Sequence, residues 1–512
     1  MSGPTVHVEV GAGPLTLETY EAVVTRQANV RLSDTARSRM VTFRASLLRQ
    51  LERGVRMYGV NTGYGADSTR TLPRDLIRTV QRNTVVSHAM GVGRPASAEI
   101  VRGMLLLKAN VMTKGYSAVR PEVAELLLEL LNHDILPIVP EKGSLAASGD
   151  LVPSGHLALA LLGEGEVTHD GRRLDAREAL RSAGLLELEL EEKEGLALVN
   201  GTAFTEAYAL AAVTRAERLL RTADLAGAAS LQGLRGHPEA FADRAVSVRP
   251  FAGTLLCAAN LRDLSRGSQL LDGGSGRVHD PYCLRCMPQV HGASRDAFAY
   301  VKQAVLIELD SFTDNPLVFA DDDSWVSAGN FHAQPVGLAM DTLAVAIAEI
   351  ASISQRRTQH LVAPVYDVGL PAKLSPHPEE GSGLFMLNTT AAALVSENKT
   401  YSFPASVDSM AVDTTEDHVS MGSVAARKAM EIITNTANVL AIEILCACQA
   451  IDLHAPLQPS DPIDALRKSV RKTVPFVDRD RAMSAEVAGL ADAILSGEIV
   501  TAVREALGRP LN

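Results

Sequence analysis

Apolar residues recur three and four positions apart along nearly the whole chain, the period of a helix that buries one face. Residues 99–112 and 121–131 predict amphipathic or buried helices. Pro121 and Glu122 suit a first helical turn, where proline's missing N–H is no loss and a carboxylate meets the positive end of the dipole. Beyond Asn200 the pattern lengthens. Residues 204–225, 293–311, 335–356 and 419–453 predict long helices of Ala, Leu, Ile and Val. Helices that are apolar on several faces belong inside a large bundle. Asp461-Pro462, followed by Ile463, Leu466 and Val470, starts another helix, and residues 484–507 predict a final amphipathic one. Strand signals are few. Val6-His7-Val8-Glu9-Val10 alternates, and Gly163-Glu164-Gly165-Glu166-Val167-Thr168 before Asp170-Gly171 predicts a small hairpin after the helix that follows Ser148. The expected fold is mainly α, with no internal repeat. A soft boundary near residues 202–206 separates a smaller mixed region, 1–202, from a long-helix bundle, 203–512.

Composition narrows the function. A chain of 512 residues that is 46% hydrophobic can bury a large core. No uncharged apolar run is long enough to cross a bilayer; residues 381–396 come nearest, but Ser382, Asn388, Thr389 and Thr390 interrupt them, and a buried helix is expected there instead. Met1-Ser2-Gly3-Pro4 lacks the basic and apolar regions of a signal peptide, which gives a cytoplasmic expectation. A net charge of −11 and 4% aromatic residues argue against nucleic-acid or membrane partners. Five cysteines, an odd and sparse set, fit a reducing compartment. Cys283 and Cys286 form a lone Cys-x-x-Cys without a second pair or a paired His motif, so no metal site is expected.

The candidate chemistry centres on Gly143-Ser144-Leu145-Ala146-Ala147-Ser148-Gly149-Asp150-Leu151. If the Gly149 nitrogen attacks the Ala147 carbonyl and two waters leave, a five-membered ring forms and the Ser148 side chain becomes an exocyclic methylidene. Ordinary side chains supply nucleophiles, acids and bases; a carbon electrophile has to be borrowed from a cofactor or made. Around this segment stand Tyr58-Gly59-Val60-Asn61-Thr62-Gly63-Tyr64-Gly65, Val199-Asn200-Gly201-Thr202, Asp280-Pro281-Tyr282-Cys283-Leu284-Arg285-Cys286, Gly329-Asn330-Phe331-His332-Ala333 and Glu416-Asp417-His418-Val419-Ser420-Met421. The first is no phosphate loop, since no Gly-Lys-Ser/Thr follows it. In this order the set resembles the histidine ammonia-lyase, phenylalanine ammonia-lyase and aromatic aminomutase superfamily, from about Tyr58 to Met421.

The resemblance implies a self-formed 4-methylidene-imidazol-5-one from Ala147-Ser148-Gly149, no external cofactor, an amino-acid substrate and a homotetramer with shared active sites. It also implies roles for single residues. Tyr58 matches the family's catalytic tyrosine. Tyr282 matches one that handles protons or stabilises the prosthetic group. Asp150 is expected to hold the loop. Arg285 can grip the substrate carboxylate in a bidentate pair, and it faces the same way as Tyr282 if that stretch is helical. Asn200 can hydrogen-bond the ring carbonyl or the substrate and stabilise developing charge. Phe331 offers an apolar wall.

Substrate choice rests on Ser87-His88 and Glu416, both of which resemble the histidine enzymes. An imidazole needs polar partners, and a carboxylate can accept its N–H or act as a base; a phenyl ring would leave that carboxylate buried and unpaired. The first expectation is therefore elimination of ammonia from L-histidine to give trans-urocanate. Three positions depart from the histidine pattern. His279 and Met287 stand where glutamine is common, and Tyr64 replaces the usual phenylalanine, with residues 62–70 leaning toward eukaryotic aromatic lyases. His279 is counted with the substrate-binding residues. The alternatives are a tyrosine or phenylalanine ammonia-lyase or 2,3-aminomutase on the same machinery, and an inactive helical scaffold.

Overall fold

The computed structural model describes residues 6–272, 276–364, 367–408, 410–412 and 415–511; the reading of Met1-Ser2-Gly3-Pro4 lies outside them. The fold is mainly helical, as expected, and divides into two compact units. The first comprises Met1–Ala211, Gln303–Met340 and Pro404–Arg427; the second comprises Ala212–Lys302, Asp341–Phe403 and Lys428–Asn512.

The first unit carries short strands among its helices. Val6–Val10 pairs in parallel with Ala28–Leu32. The expected hairpin is Glu166–His169 with Arg172–Asp175, turned by Asp170 and Gly171, both at positive φ, and Leu136–Pro137 adds a third strand. The predicted helices at 99–112 and 121–131 are Ala98–Thr113 and Pro121–Asn132. Ser97 caps the first by accepting from the Ile100 N–H, and Pro121 opens the second. Ala98–Thr113 is buried from Gly103 to Thr113 without a break.

In the second unit the buried charges are paired. Arg357 and Glu443, both wholly buried, meet through Nε–Oε1 at 2.5 Å and a second nitrogen–oxygen contact at 2.8 Å. The Ser230 and Ser354 hydroxyls donate to the same carboxylate at 2.6 Å each. All five cysteines are free thiols.

The long helices at 204–225, 293–311 and 335–356 are longer than their patterns, as Ala203–Gly233, Met287–Leu309 and Gln334–Val362. Gln334–Val362 and Gly422–Leu453 are long and apolar enough to cross a membrane by length and composition, yet 67% and 83% of their most apolar windows are buried within the protein.

Three expectations need correction. The stretch at 381–396 does contain a helix, Phe385–Tyr401, but only Asn388, Ala391 and Asn398 are buried in it. Its start is delayed because the Asp480 carboxylate accepts from the Ser382 and Gly383 N–H groups at 2.7 and 2.9 Å, holding those residues in a loop. An alanine-rich helix gives no signal as to which face, if any, is covered. The final helix is two, Ser484–Ser496 and Glu498–Leu507, because Gly497 takes φ +85° and ends the first. The helix expected from residue 419 starts at Gly422, since Ser420 and Met421 are spent on holding the Ser148 loop.

Candidate active site

The loop ahead of the helix Leu151–Leu161 is strapped from two sides, all within the first unit. On one side the Ser420 hydroxyl donates to the Ala146 carbonyl at 2.9 Å, the Met421 N–H to Leu145 at 3.0 Å and the Ser423 hydroxyl to Ser144 at 3.0 Å. On the other, the Asp150 N–H donates to the Gly201 carbonyl at 2.7 Å. The buried Asp150 carboxylate accepts from the Ser144 hydroxyl, the Thr205 N–H and the Thr205 hydroxyl at 2.7–2.9 Å. Burial pushes its pKa up, and those three donors pull it back. Asp150 thus ties loop to helix, and its carboxylate oxygens are committed to the protein.

Gly149 sits at φ +81°, and a Cβ added there would lie 2.3 Å from the Gly201 carbonyl oxygen. Only glycine fits this approach. Gly149→Ala is expected to destabilise the protein by about 3 kcal/mol, combining left-handed strain with a backbone clash; thermal unfolding measures it.

The strapping presents Ser148. Its hydroxyl donates to Glu416 Oε1 at 2.7 Å, and its carbonyl accepts from Asn200 Nδ2 at 3.0 Å. Asn200 is 4% exposed, and its Oδ1 is buried without a partner among the described residues. Such an acceptor is costly unless a ligand or water satisfies it.

These residues line a cavity of about 270 Å³ together with Tyr58, His88 and Phe331. Tyr58 is held there by its neighbours. Met57 and Val60 are wholly buried with Leu47, Ala118 and Val318, a burial worth about 1.5–3 kcal/mol per large side chain. Asn61 pins the turn by accepting from the Met57 N–H at 2.8 Å and donating to Val55 O at 2.9 Å. The Tyr58 ring meets Tyr64 edge-on, with centroids 6.2 Å apart.

His88 ends the helix Arg74–His88. Its Nδ1 lies 2.6 Å from the Thr84 carbonyl. A carbonyl only accepts, so Nδ1 carries the proton, and Nε2 is the acceptor of the neutral ring. Ser87, by contrast, is exposed and does not line the cavity.

Some lining residues carried no sequence signal. The Thr84 hydroxyl donates to the Tyr64 hydroxyl at 2.9 Å, and Gln81 approaches the same oxygen at 3.4 Å. Burial pushes the Tyr64 phenol pKa up, and these two contacts pull it back. Thr84 stands four residues before His88, so helical spacing could have placed them on one face. Asn315 and Ser327, bonded to each other at 3.2 Å, had no such cue. Their segment is anchored by Lys193, which reaches the Asp314 carboxylate at 2.7 and 2.9 Å and the Asn315 carbonyl at 2.8 Å.

His279, Tyr282 and Arg285 belong to the second unit and do not line this cavity. His279 is exposed. Tyr282 and Arg285 span a short helix, and the guanidinium lies 4.7 Å over the ring of Tyr282, which is 71% exposed. A larger cavity in the second unit, about 680 Å³, contains none of the motif residues.

Residues 15–472 match the family described as aromatic amino acid lyase. The chain belongs to that family, and it is a lyase. A histidine ammonia-lyase from Anaeromyxobacter sp. (strain K) is 46% identical over 94% of this chain and 97% of its own. The crystal structure of a histidine ammonia-lyase from Trypanosoma cruzi superposes with a TM-score of 0.90 at 36% identity, covering 98% of this chain and 96% of its own. A tyrosine aminomutase from Streptomyces globisporus gives 0.91 at 33%, covering 98% of each. The aromatic amino acid lyase fold therefore extends over essentially the whole chain.

Proposed function

We propose that this lyase eliminates ammonia from L-histidine to give trans-urocanate, with the electrophile formed from Ala147, Ser148 and Gly149. The observation that carries the reading is the Ser148–Glu416 contact at 2.7 Å inside a cavity shared with Tyr58, His88 and Asn200. The residues fit the ring: Gly149 allows the tight approach, Asn200 already holds the Ser148 carbonyl, and the unpartnered Asn200 Oδ1 awaits a donor. When formed, the methylidene-imidazolone supplies the carbon electrophile that makes the substrate's amino group a better leaving group.

The chain's own residues supply the rest. Tyr58 takes the proton from the substrate's β-carbon. His88 Nε2 and the Glu416 carboxylate accept the two N–H groups of the substrate side chain in its imidazolium form, Glu416 also serves as a base during the elimination, and Phe331 packs on the ring. The many histidine ammonia-lyases among the relatives, at 42–46% identity, support histidine over a phenyl or phenol side chain. Arg285 binds the substrate carboxylate and Tyr282 handles a proton. Both reach the cavity from a neighbouring subunit of a homotetramer, a reading supported by the exposure of Tyr282 and by the absence of both from the cavity of their own chain. His279, three residues before Tyr282, reaches the substrate by the same route, and Ser87 acts beside His88. Five free thiols support a cytoplasmic setting.

Purified protein given a panel of amino acids should release ammonia from L-histidine, with urocanate absorbance growing in the near ultraviolet. Turnover of tyrosine or phenylalanine without histidine, or a β-amino acid product, would reject this reading. His88→Leu is expected to lower kcat/KM for L-histidine by about 10- to 100-fold, the value of one hydrogen bond in a desolvated site; steady-state kinetics on the panel measure it.

A further inference from the structure

The buried helix Ala98–Thr113 carries one lysine, Lys108, which is 3% exposed. Its ammonium donates to the Asn200 carbonyl and approaches the Ala197 carbonyl at 3.5 Å. These carbonyls close the short helix Glu194–Val199, where last-turn oxygens lack partners along the helix. The same Asn200 extends its side-chain amide to the Ser148 carbonyl at 3.0 Å. Lys108 therefore grips the backbone of the residue whose side chain holds the ring-forming serine.

The surroundings fit a retained charge. Burial lowers the ammonium pKa to about 8, while Asp314 and then Asp150 pull it back up. Asp150 directly follows Gly149 and straps the loop. Packing alone does not call for a charge at this position. A methionine has similar volume and avoids the cost of taking an ammonium out of water.

We propose that Lys108 is a positioning residue for ring closure, fixing Asn200 so that its amide holds the Ser148 carbonyl while the loop dehydrates. The inference rests on the ring-forming reading above. In that step the Gly149 nitrogen bonds to the Ala147 carbonyl carbon. The Ala147 oxygen leaves as water with the protons of the Gly149 and Ser148 N–H groups, and a C=N bond remains. A second water takes the Ser148 hydroxyl and the Ser148 Cα proton, leaving the methylidene. No oxidant or reductant is consumed. As the Cα proton departs, negative charge develops on the Ser148 carbonyl oxygen, where the Asn200 N–H points. A drift of Asn200 would remove that stabilisation.

The test follows the intact mass of the newly synthesised full-length chain over time, for wild type, Lys108→Met, Lys108→Gln and Lys108→Arg. Circular dichroism and thermal unfolding report whether each variant is folded. Wild type should lose two waters. Lys108→Met and Lys108→Gln should lose them about tenfold more slowly or worse, the factor for one hydrogen bond to a charged group. Lys108→Arg, which restores charge and donors, should recover part of the rate. If Lys108→Met fails to fold, Lys108→Gln carries the test, since its polar but uncharged amide is one atom too short to reproduce the lysine's hold on the Asn200 carbonyl. A folded neutral variant that loses both waters at the wild-type rate overturns the proposal and leaves the ring intact as a reading. A wild-type chain that never loses them overturns the ring reading itself.

Discussion

Ser148→Ala should abolish turnover while leaving the fold in place. The serine is half-buried at the end of a loop whose anchors are elsewhere: Ser420, Met421 and Ser423 hold residues 144–146, and Gly201 and Thr205 hold Asp150. Removing one hydroxyl costs only its bond to Glu416, on the order of 1–2 kcal/mol of stability. The chemical loss is far larger. Alanine has no hydroxyl to expel, so no methylidene forms, and the amine has no electrophile to meet. A drop in kcat/KM of about 10⁴-fold or more is expected, equivalent to about 5 kcal/mol of barrier. The assay is ammonia release beside a thermal melt of the same preparation. Activity within tenfold of wild type would leave Ser148 without the role given to it.

The second large effect is at Glu416. Glu416→Gln keeps the shape and can still hydrogen-bond the Ser148 side chain, but it removes a charge and a base. Two consequences are separable. Ring formation should persist, because the loop straps and Asn200 are untouched. Turnover of L-histidine should fall by about 10²- to 10⁴-fold, the usual contribution of a positioned acid or base. The measurement is kcat and KM for a variant whose mass already shows the loss of two waters. A fall in kcat with KM nearly constant places the carboxylate in the transition state; a rise in KM alone reduces it to a binding contact.

Much of this was legible in the sequence, for identifiable reasons. The long helices are apolar on several faces, so their period survives in the sequence as a strong signal, and Ala203–Gly233 and Gln334–Val362 were recognisable from it. The motifs around Tyr58, Ser148, Asn200, Phe331 and Glu416 converge on one cavity, and each lies outside the regular interior of a helix, where short polar runs stand out against apolar neighbours. Residues on regular elements were harder to see. Thr84 faces the cavity from a helix interior and reads as an ordinary helical threonine. Lys108 was invisible as a functional group, since a lysine in an amphipathic pattern reads as a solvated one. Asn315 depends on Lys193, 122 positions away, and no local pattern encodes that pairing. The helix Phe385–Tyr401 shows the converse: its composition reads as core, but the chain alone leaves most of it uncovered.

High-resolution electron density for residues 147–149 of the mature protein bears most directly on the self-made electrophile. A closed five-membered ring is expected, with the Gly149 nitrogen bonded to the Ala147 carbonyl carbon and a bare methylidene where the serine hydroxyl had been. Continuous peptide density with the Ser148 hydroxyl still on Glu416 would contradict it.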